Sequence, residues 1–145
     1  MTDDVRDRVA ENFLAIIPLL YRQIFRVNHG VSGIKTAQYR VLGILKKAGP
    51  LSMSEIGRHL YISKPYMTAL VDSLIGNNWV ERQQDATDRR VIRITITPSG
   101  KKYLKESLEM YRNDLELLLG DLSDKELEQF SLSLEHLRTI LTKIE

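Results

Sequence analysis

Apolar residues near the beginning of the chain recur at steps of three and four, the period of an amphipathic α-helix. These positions are Val5, Val9, Phe13, Ile16, Leu20, Ile24 and Val27. Pro18 falls within the pattern and lacks a backbone donor, so we expect it to kink or break this helix. The stretch from Asn28 to Gly33 is typical of a loop. Thr36 is predicted to cap a second helix that stops at Gly49-Pro50.

Two further helical patterns follow near the C-terminus. Thr97 can cap a helix that has Pro98 in its first position. Ser123 and Glu126 form a capping box that opens the last helix. The apolar positions of the two helices are Leu104, Leu108, Tyr111, Leu115, Leu118 and Leu122, then Leu127, Phe130, Leu134, Leu137, Leu141 and Ile144. Seams this regular are typical of helices that lie nearly parallel to their partners.

Residues 52–97 contain two shorter helical patterns separated by a turn. Ser52 and Glu55 form a capping box that opens the first of them. After a turn at Tyr61-Ile62, Ser63 can cap a second helix that runs to about Asn77. Two short helices joined this closely are typical of a helix-turn-helix.

Alternating strands follow the second helix. Residues 79–84 and 91–97 are predicted to be the two strands of a hairpin, with alternating apolar and polar side chains at residues 92–97, and a charged six-residue tip, residues 85–90, joins them. Leu51 is expected to add a short strand to this sheet. A helix-turn-helix followed by a hairpin with a basic tip is a winged helix, a shape suited to reading DNA.

These patterns predict a mainly α-helical protein with a small β-hairpin wing. The winged helix-turn-helix lobe is expected at residues 34–100, flanked by helical dimerisation regions at residues 1–33 and 101–145. The terminal helices also carry apolar residues beyond their main seams, namely Ile17, Phe25, Leu119, Leu132 and Ile140. These faces could pack within one chain, but a lobe of roughly 70 residues has little surface to cover them. A homodimer is therefore favoured.

Composition excludes several classes of function. The 145 residues include no Cys, which excludes disulfides, thiolate metal sites and cysteine redox chemistry. The three histidines lie far apart without ligand spacing, so we expect no metal and no cofactor. No apolar run approaches the roughly 20 residues that span a bilayer, and the acidic start does not resemble a signal peptide. We therefore expect a cytoplasmic protein without a membrane partner.

The net charge of +2 conceals an uneven distribution along the chain. Residues 35–102 hold twelve Lys/Arg and five Asp/Glu, a net charge of +7, whereas residues 103–145 hold five and ten, a net charge of −5. The positive charge thus falls on the winged-helix segment, as contact with phosphates requires.

The second helix of the motif has one apolar and one polar face. Met67, Leu70, Val71 and Leu74 should pack inward, and the opposite face presents Ser63, Lys64, Pro65, Tyr66 and Thr68 as candidate DNA-reading residues. Lys64 could reach a guanine edge or a phosphate, and Ser63 a phosphate at the helix start. Tyr66 and Thr68 could contact a phosphate or a thymine methyl. The alternative for each is solvent exposure without contact, and Asp72 is expected to be exposed or salt-bridged.

The wing supplies two further candidates, Arg89 and Arg90. A narrow minor groove attracts guanidinium groups, and we expect at least one of these arginines to bind DNA while a carboxylate of the tip braces the other. In the second strand, Ile92, Ile94 and Ile96 alternate with polar residues, so all three are expected on the buried face.

Taken in this order, these residues resemble the MarR family of multiple-antibiotic-resistance type regulators. The resemblance covers nearly the whole chain and rests on the long first helix and on six stretches: residues 36–42, 52–56, 63–74, 80–82, 85–90 and 94–100. It implies a dimer with interlocked terminal helices and two winged-helix lobes. It also implies a protein that binds double-stranded DNA, typically as a repressor, and that can release DNA when a small phenolic ligand binds between the dimer helices and the lobes.

The chain departs from the family pattern at three positions. Thr87 stands where the tip usually carries Arg, so the groove contact is expected to shift to Arg89 or Arg90. Asn78 replaces the usual Gly after the recognition helix, and Asn is the next-best residue for a left-handed cap. Ala69 stands where an Arg is common, which removes one phosphate contact. The absence of Cys also excludes the thiol-based peroxide sensors of the family.

Candidate ligand residues should come from the first, second and fifth helices. Cations and phenols there could hold the carboxylate and ring of an aromatic acid. The candidates are Arg22, His29, Tyr39, Arg40, Tyr111 and Arg112. The alternative is that the tyrosines belong to the core and the arginines to solvated faces.

Two other functions compete with that of a sequence-specific regulator. A winged helix can serve protein-protein or architectural contacts without sequence preference, although the net charge and the paired tip arginines argue against this. An enzyme is excluded because no nucleophile with its base, phosphate-binding Gly loop or metal cluster occurs.

Overall fold

The computed structural model describes residues 2–27 and 33–144 and forms two compact units, one up to residue 109 and one from residue 110. The first unit contains four helices and a small sheet. The helices are α1 Thr2–Val27, α2 Gly33–Ala48, α3 Met53–Leu60 and α4 Lys64–Gly76. The strands are β1 Leu51–Ser52, β2 Val80–Gln84 and β3 Ile92–Ile96. Helix α5, Pro98–Leu118, begins in the first unit, and α6, Asp124–Leu141, lies in the second after a short 3₁₀ turn at Leu119–Asp121.

The sheet is antiparallel with strand order β1-β3-β2. In its register Val80 lies opposite Ile96 and Gln84 opposite Ile92, while β1 pairs Leu51 with Ile94. The predicted hairpin and the added strand at Leu51 are therefore confirmed. The mainly helical fold with a small wing is confirmed as well.

One hydrophobic core packs α2, α3, α4, the sheet and the start of α5 together. Its fully buried side chains are Val41, Leu42, Leu45, Ile56, Met67, Val71, Leu74, Val80 and Ile94. At its edge, the rings of Trp79 and Tyr103 stack with centroids 3.7 Å apart. A Cβ added to Gly100 would collide with the Trp79 carbonyl oxygen, so glycine allows α5 to start directly against the hairpin.

Local capping confirms several predicted boundaries. In both capping boxes the serine Oγ accepts from the glutamate N–H at 3.2 Å, at Ser52 and again at Ser123. Thr97 Oγ1 accepts from the Gly100 N–H at 3.0 Å and donates to the Asn78 carbonyl at 2.6 Å. Asn78 adopts a left-handed φ of 62°, as expected for its place after the recognition helix.

Three expectations are corrected. Helix α1 continues through Pro18, so the predicted break is wrong, because a proline removes only one hydrogen bond of the helix. The alternative, a kink at Pro18, stays a prediction. Helix α2 begins at Gly33, so Thr36 lies inside it rather than capping it, since no helix-breaking residue separates the two positions. Ile92 is 47% exposed, because it pairs with Gln84 at the tip end of the hairpin, beyond the short β1 and the core. Residues 28–32 of the predicted loop lie outside the described residues.

The terminal helices retain much apolar surface within a single chain. In α1 the exposed side chains include Val5, Val9, Phe13, Leu14, Ile16, Ile17, Leu19 and Leu20. In α5 and α6 they include Leu108, Leu115, Leu117, Phe130, Leu134 and Ile140. Helical periodicity thus predicted apolar faces that one chain leaves largely uncovered. None of the described helices is long and apolar enough to cross a membrane.

The turn between α3 and α4 contains a strained residue whose removal is expected to stabilise the fold. Tyr61 has a φ of 54°, in the left-handed region. Its side chain is 95% exposed, so packing of the ring contributes little to offset the backbone strain. That conformation costs an L-residue about 1–2 kcal/mol. Glycine adopts it without strain, but its greater loss of conformational entropy on folding costs about 0.5–1 kcal/mol. We expect Tyr61→Gly to raise the free energy of unfolding by about 0.5–1 kcal/mol, as measured by urea denaturation at fixed protein concentration.

Tyr61→Ala is the matched control, because alanine removes the ring and keeps the strain. It should leave stability unchanged or lower. Equal gains from the two substitutions would show that the ring, rather than the backbone, is the source of the cost.

Candidate nucleic-acid interface

Helix α4 is anchored on one side and free on the other. Met67, Leu70, Val71 and Leu74 are at most 2% exposed, so the inward stripe is completely buried. Each of the five candidate DNA-reading residues at the start of the helix is exposed: Ser63, Lys64, Pro65, Tyr66 and Thr68. The first turn therefore offers a cation, hydroxyls and an aromatic edge on a helix that the core prevents from rotating.

The start of α4 leaves donors available for an anion. Ser63 has the extended backbone of an N-cap, but its side chain makes no capping hydrogen bond. Pro65 occupies the first turn, where its missing N–H costs nothing. Thr68 Oγ1 donates to the Lys64 carbonyl at 3.3 Å. The first-turn N–H groups and the Ser63 hydroxyl can thus face a phosphate.

The turn between α3 and α4 is tight because of Gly57. A Cβ at this position would lie 3.2 Å from the Ile62 carbonyl oxygen and 3.5 Å from Met67 Cγ. An open groove of about 410 Å³ lies outside this contact, and Arg58 and Lys64 flank it. Arg58 is a further cation beside the candidate surface and was not predicted as a functional residue, since it lies on the shorter helix of the motif.

Helix α2 braces both helices of the motif through side-chain hydrogen bonds. Gln38, only 6% exposed, donates from Nε2 to Ser73 Oγ on α4 at 2.7 Å. Arg40 donates from Nη2 to the Leu60 carbonyl at the end of α3 at 3.0 Å. The recognition helix is thus held by directional polar contacts as well as by its apolar stripe.

The hairpin also contacts α4 through an ion pair. Arg82 Nη2 on β2 lies 2.7 Å from Asp72 Oδ1 on α4. Asp72 is therefore salt-bridged, one of the two outcomes expected for it. Arg82 was not predicted as a functional residue, because only the fold brings it beside α4.

The tip of the wing is ordered by its own carboxylates. Asp88 Oδ1 accepts the Arg90 backbone N–H at 3.0 Å and lies 3.4 Å from Arg90 Nε. Thr87 Oγ1 donates to Asp85 Oδ2 at 2.9 Å. Arg89 is exposed and makes no ion pair with the described residues. One tip arginine is thus braced and the other is free to project.

Arg93 joins the base of the wing to the start of α3. Its Nε lies 3.0 Å from Asp85 Oδ1 and its Nη1 lies 3.6 Å from Glu55 Oε2. The hydrogen bond from the Ser52 N–H, assisted by the Arg93 charge, lowers the pKa of Glu55. The Arg93 and Thr87 hydrogen bonds lower the pKa of Asp85. Both carboxylates are therefore ionised at neutral pH.

The candidate ligand residues are distributed over both units. Arg22 is exposed on α1, and Tyr39 packs against the core. Arg40 donates a hydrogen bond to the Leu60 carbonyl. Tyr111 is half-buried, and Arg112 Nε lies 3.3 Å from Glu116 on the next turn of α5. His29 lies outside the described residues, and the ligand site stays a prediction. The described ranges contain no cluster of His, Asp or Glu that could hold a metal ion.

Comparison with known proteins identifies the family that the chain resembles. The sequence profile of the MarR family matches residues 32–91. The uncharacterized HTH-type transcriptional regulator YwoH of Bacillus subtilis is 31% identical over 99 residues, covering 68% of this chain and 72% of YwoH. The HTH-type transcriptional repressor MdtR of the same organism is 32% identical over 97 residues, covering 67% of this chain and 63% of MdtR. The solved structure of a MarR family protein from Bacillus stearothermophilus has a TM-score of 0.70 at 25% identity, covering 98% of this chain and 99% of that one.

Proposed function

The chain belongs to the MarR family of DNA-binding transcriptional regulators, and we propose that it acts as a homodimeric repressor that reads a pseudo-palindromic operator. The observation that carries the proposal is the exposed start of α4, residues 63–66 together with Thr68, on a helix whose apolar stripe is buried. The repressor assignment draws support from MdtR, a relative that is named a repressor.

Sequence reading is assigned to the start of α4. Lys64 reaches a guanine edge or a phosphate, and Tyr66 and Thr68 contact a phosphate or a thymine methyl. Ser63 binds a phosphate at the helix start, where the backbone donors point outward. Pro65 fixes the backbone of that turn. Helices of this kind enter the major groove with their N-terminal residues.

Minor-groove contact is assigned to the wing. Arg89 carries no ion pair to the described residues, and Arg90 is 92% exposed at its side chain although Asp88 braces it. Both guanidinium groups can therefore approach a polyanion without first breaking a buried interaction. This contact reads the width and potential of the groove more than its base edges.

Dimer formation is assigned to the helical regions at residues 1–33 and 101–145. Their exposed apolar side chains exceed what a soluble monomer normally leaves in contact with water. A second copy of the chain offers matching faces under two-fold symmetry. Two lobes related in this way, each comprising residues 34–100, should bind half-sites whose centres lie roughly 10 bp apart or a multiple of that.

A small aromatic acid is the proposed effector. Arg40 is the best placed of the candidate ligand residues, because its guanidinium donates to the Leu60 carbonyl at the end of α3. A carboxylate is a stronger acceptor than a neutral carbonyl. An anion drawn to Arg40 would therefore compete for the hydrogen bond that braces α3, and so couple ligand binding to the reading surface.

Substitution of Lys64 is expected to weaken specific DNA binding. The measurement is fluorescence anisotropy with DNA from immediately upstream of the gene, against scrambled competitor, across a salt series. Lys64→Ala should weaken binding to the specific fragment by roughly 5- to 150-fold, the range for a lost base contact of about 1–3 kcal/mol. Wild-type affinity should fall linearly with the logarithm of salt concentration as counterions are released.

Lys102→Ala is the control, since it removes one exposed cation that pairs with Glu106 within α5 at 3.9 Å. It should leave specific affinity unchanged. Equally weak binding to the upstream fragment and to the scrambled DNA would favour an architectural module without sequence specificity. No binding at low salt would favour a protein-interaction module and refute the regulator.

Substitution in α6 is expected to separate the dimer. Wild-type protein should sediment at twice its chain mass of 16.7 kDa. Phe130→Glu places a charge on a predicted seam position that is 43% exposed in one chain, so burial against a partner becomes unfavourable. Sedimentation equilibrium should then give the monomer mass, whereas Ser131→Glu, at the neighbouring polar position, should stay dimeric. A wild-type monomer at micromolar concentration would contradict the proposal.

Loss of the Arg40 guanidinium is expected to abolish effector binding. 2-Hydroxybenzoate serves as a probe that combines a phenol with a carboxylate. It should reduce the wild-type affinity for the specific fragment several-fold, and calorimetry should detect its binding to wild type and to Lys102→Ala but not to Arg40→Ala. The effector site would be excluded if Arg40→Ala bound 2-hydroxybenzoate with the same heat as wild type. It would also be excluded if 2-hydroxybenzoate left the DNA affinity of the wild-type protein unchanged.

A further inference from the structure

We propose that Arg93 is a positioning residue for DNA binding, which holds the wing at a fixed place relative to α3 and so sets where Arg89 and Arg90 meet the groove. The inference rests on the proposed function. It concerns the Arg93 bridge, defined here as Arg93 with Asp85 and Glu55.

The bridge links the base of the wing tip to the start of α3 through polar contacts, in addition to the apolar core that packs α3 against the sheet. Arg93 lies on the central strand β3, Asp85 directly follows β2 at the base of the tip, and Glu55 lies in the first turn of α3. The guanidinium lies 3.0 Å from Asp85 Oδ1 and 3.6 Å from Glu55 Oε2. The outer end of the hairpin has no comparable apolar anchor, because Ile92 there is 47% exposed.

Each carboxylate of the bridge is itself tied to backbone or loop. Glu55 Oε2 accepts the Ser52 N–H at 2.9 Å, which closes the capping box of α3. Asp85 Oδ2 accepts from Thr87 Oγ1 at 2.9 Å, and the Asp85 N–H donates to the Val91 carbonyl at 2.9 Å across the neck of the loop. A displacement of the tip is therefore resisted through Arg93 by the start of α3.

The exposure of the three groups favours a lasting contact. The side chains of Arg93, Asp85 and Glu55 are 34%, 19% and 35% exposed, whereas the Arg90 side chain at the tip is 92% exposed. Partly buried ion pairs are screened by salt less than exposed ones. The bridge should therefore persist at the salt concentrations at which the tip arginines bind DNA.

The chemistry of the bridge favours arginine. A guanidinium presents five donors in a rigid planar fork and can bind two carboxylates in different directions, whereas a lysine ammonium acts as a compact point charge on a flexible stem. The register places Ser52 directly opposite Arg93 across β1 and β3, so the side chain at this position is adjacent to the α3 cap. An arginine at position 93 can therefore contact both the wing carboxylate and the glutamate of the α3 cap.

The test is a double-mutant cycle measured by fluorescence anisotropy on the specific fragment. We expect Arg93→Leu to weaken binding by about 5- to 20-fold in wild type, within the range for coupled residues. In an Arg89→Ala, Arg90→Ala background the same substitution should cost less than about twofold, because the groups that it positions are absent. In a Lys64→Ala background it should retain its full cost, because α4 acts independently.

Two further variants separate positioning from charge and from folding. Arg93→Lys keeps the charge and should reproduce most of the loss. Glu55→Gln keeps the capping box, which accepts Gln, and should give a smaller loss with the same dependence on the tip arginines. Thermal unfolding should confirm that each variant is folded at the assay temperature, and Lys102→Leu, a neutralised cation outside the bridge, should bind like wild type.

An equal cost of Arg93→Leu with and without the tip arginines would overturn the proposal, as would wild-type affinity in Arg93→Lys. These outcomes differ from failure of the proposed function, which would appear as the absence of any effect of Lys64→Ala.

Discussion

The burial of one face of α4 is the constraint on which the rest of the lobe depends. Met67, Leu70, Val71 and Leu74 fill the space between α2, α3 and the sheet, and each buried side chain of this size contributes about 1.5–3 kcal/mol. A rotation of α4 by one residue would expose this stripe and bury Lys64. The helix is therefore locked in rotation by the same packing that folds the lobe, and the exposed first turn is a geometrical consequence of the core.

Polar contacts complete what the core leaves undetermined. Apolar packing is non-directional, so it fixes which face of a helix is inward more firmly than it fixes the position of a hairpin tip. Gln38 and Arg40 bind α4 and the end of α3 from α2, and Arg93 binds the base of the wing to the start of α3. Each of these contacts joins elements that are distant in sequence, and each has a defined direction. The lobe thus combines a core that positions its helices with a few hydrogen-bonded side chains that orient its reading surface.

The features that were predictable from the sequence are those governed by local rules. Capping at Ser52, Ser123 and Thr97, the left-handed backbone at Asn78 and the buried stripe of α4 all follow from spacing and side-chain chemistry. The exposure of Ile92 was not predictable from alternation, because alternation gives the face of a strand but not how far along it the core extends. Arg82 and Arg93 were missed for a related reason. Their partners lie 10 and 8 or more residues away, and only the fold brings them together.

The two tip arginines differ in how much conformational entropy each has to lose when it binds DNA. Arg90 is held by Asp88 through its backbone N–H and its guanidinium, so part of its conformational entropy is already lost before DNA arrives. Arg89 has no such contact with the described residues and must lose that freedom on binding, but it has no ion pair to break. A loop with one braced arginine and one that has no ion pair to the described residues can therefore combine a preset approach with adaptation to grooves of different width. That division is useful only if the base of the loop is itself fixed, which is the role that the geometry gives to Arg93.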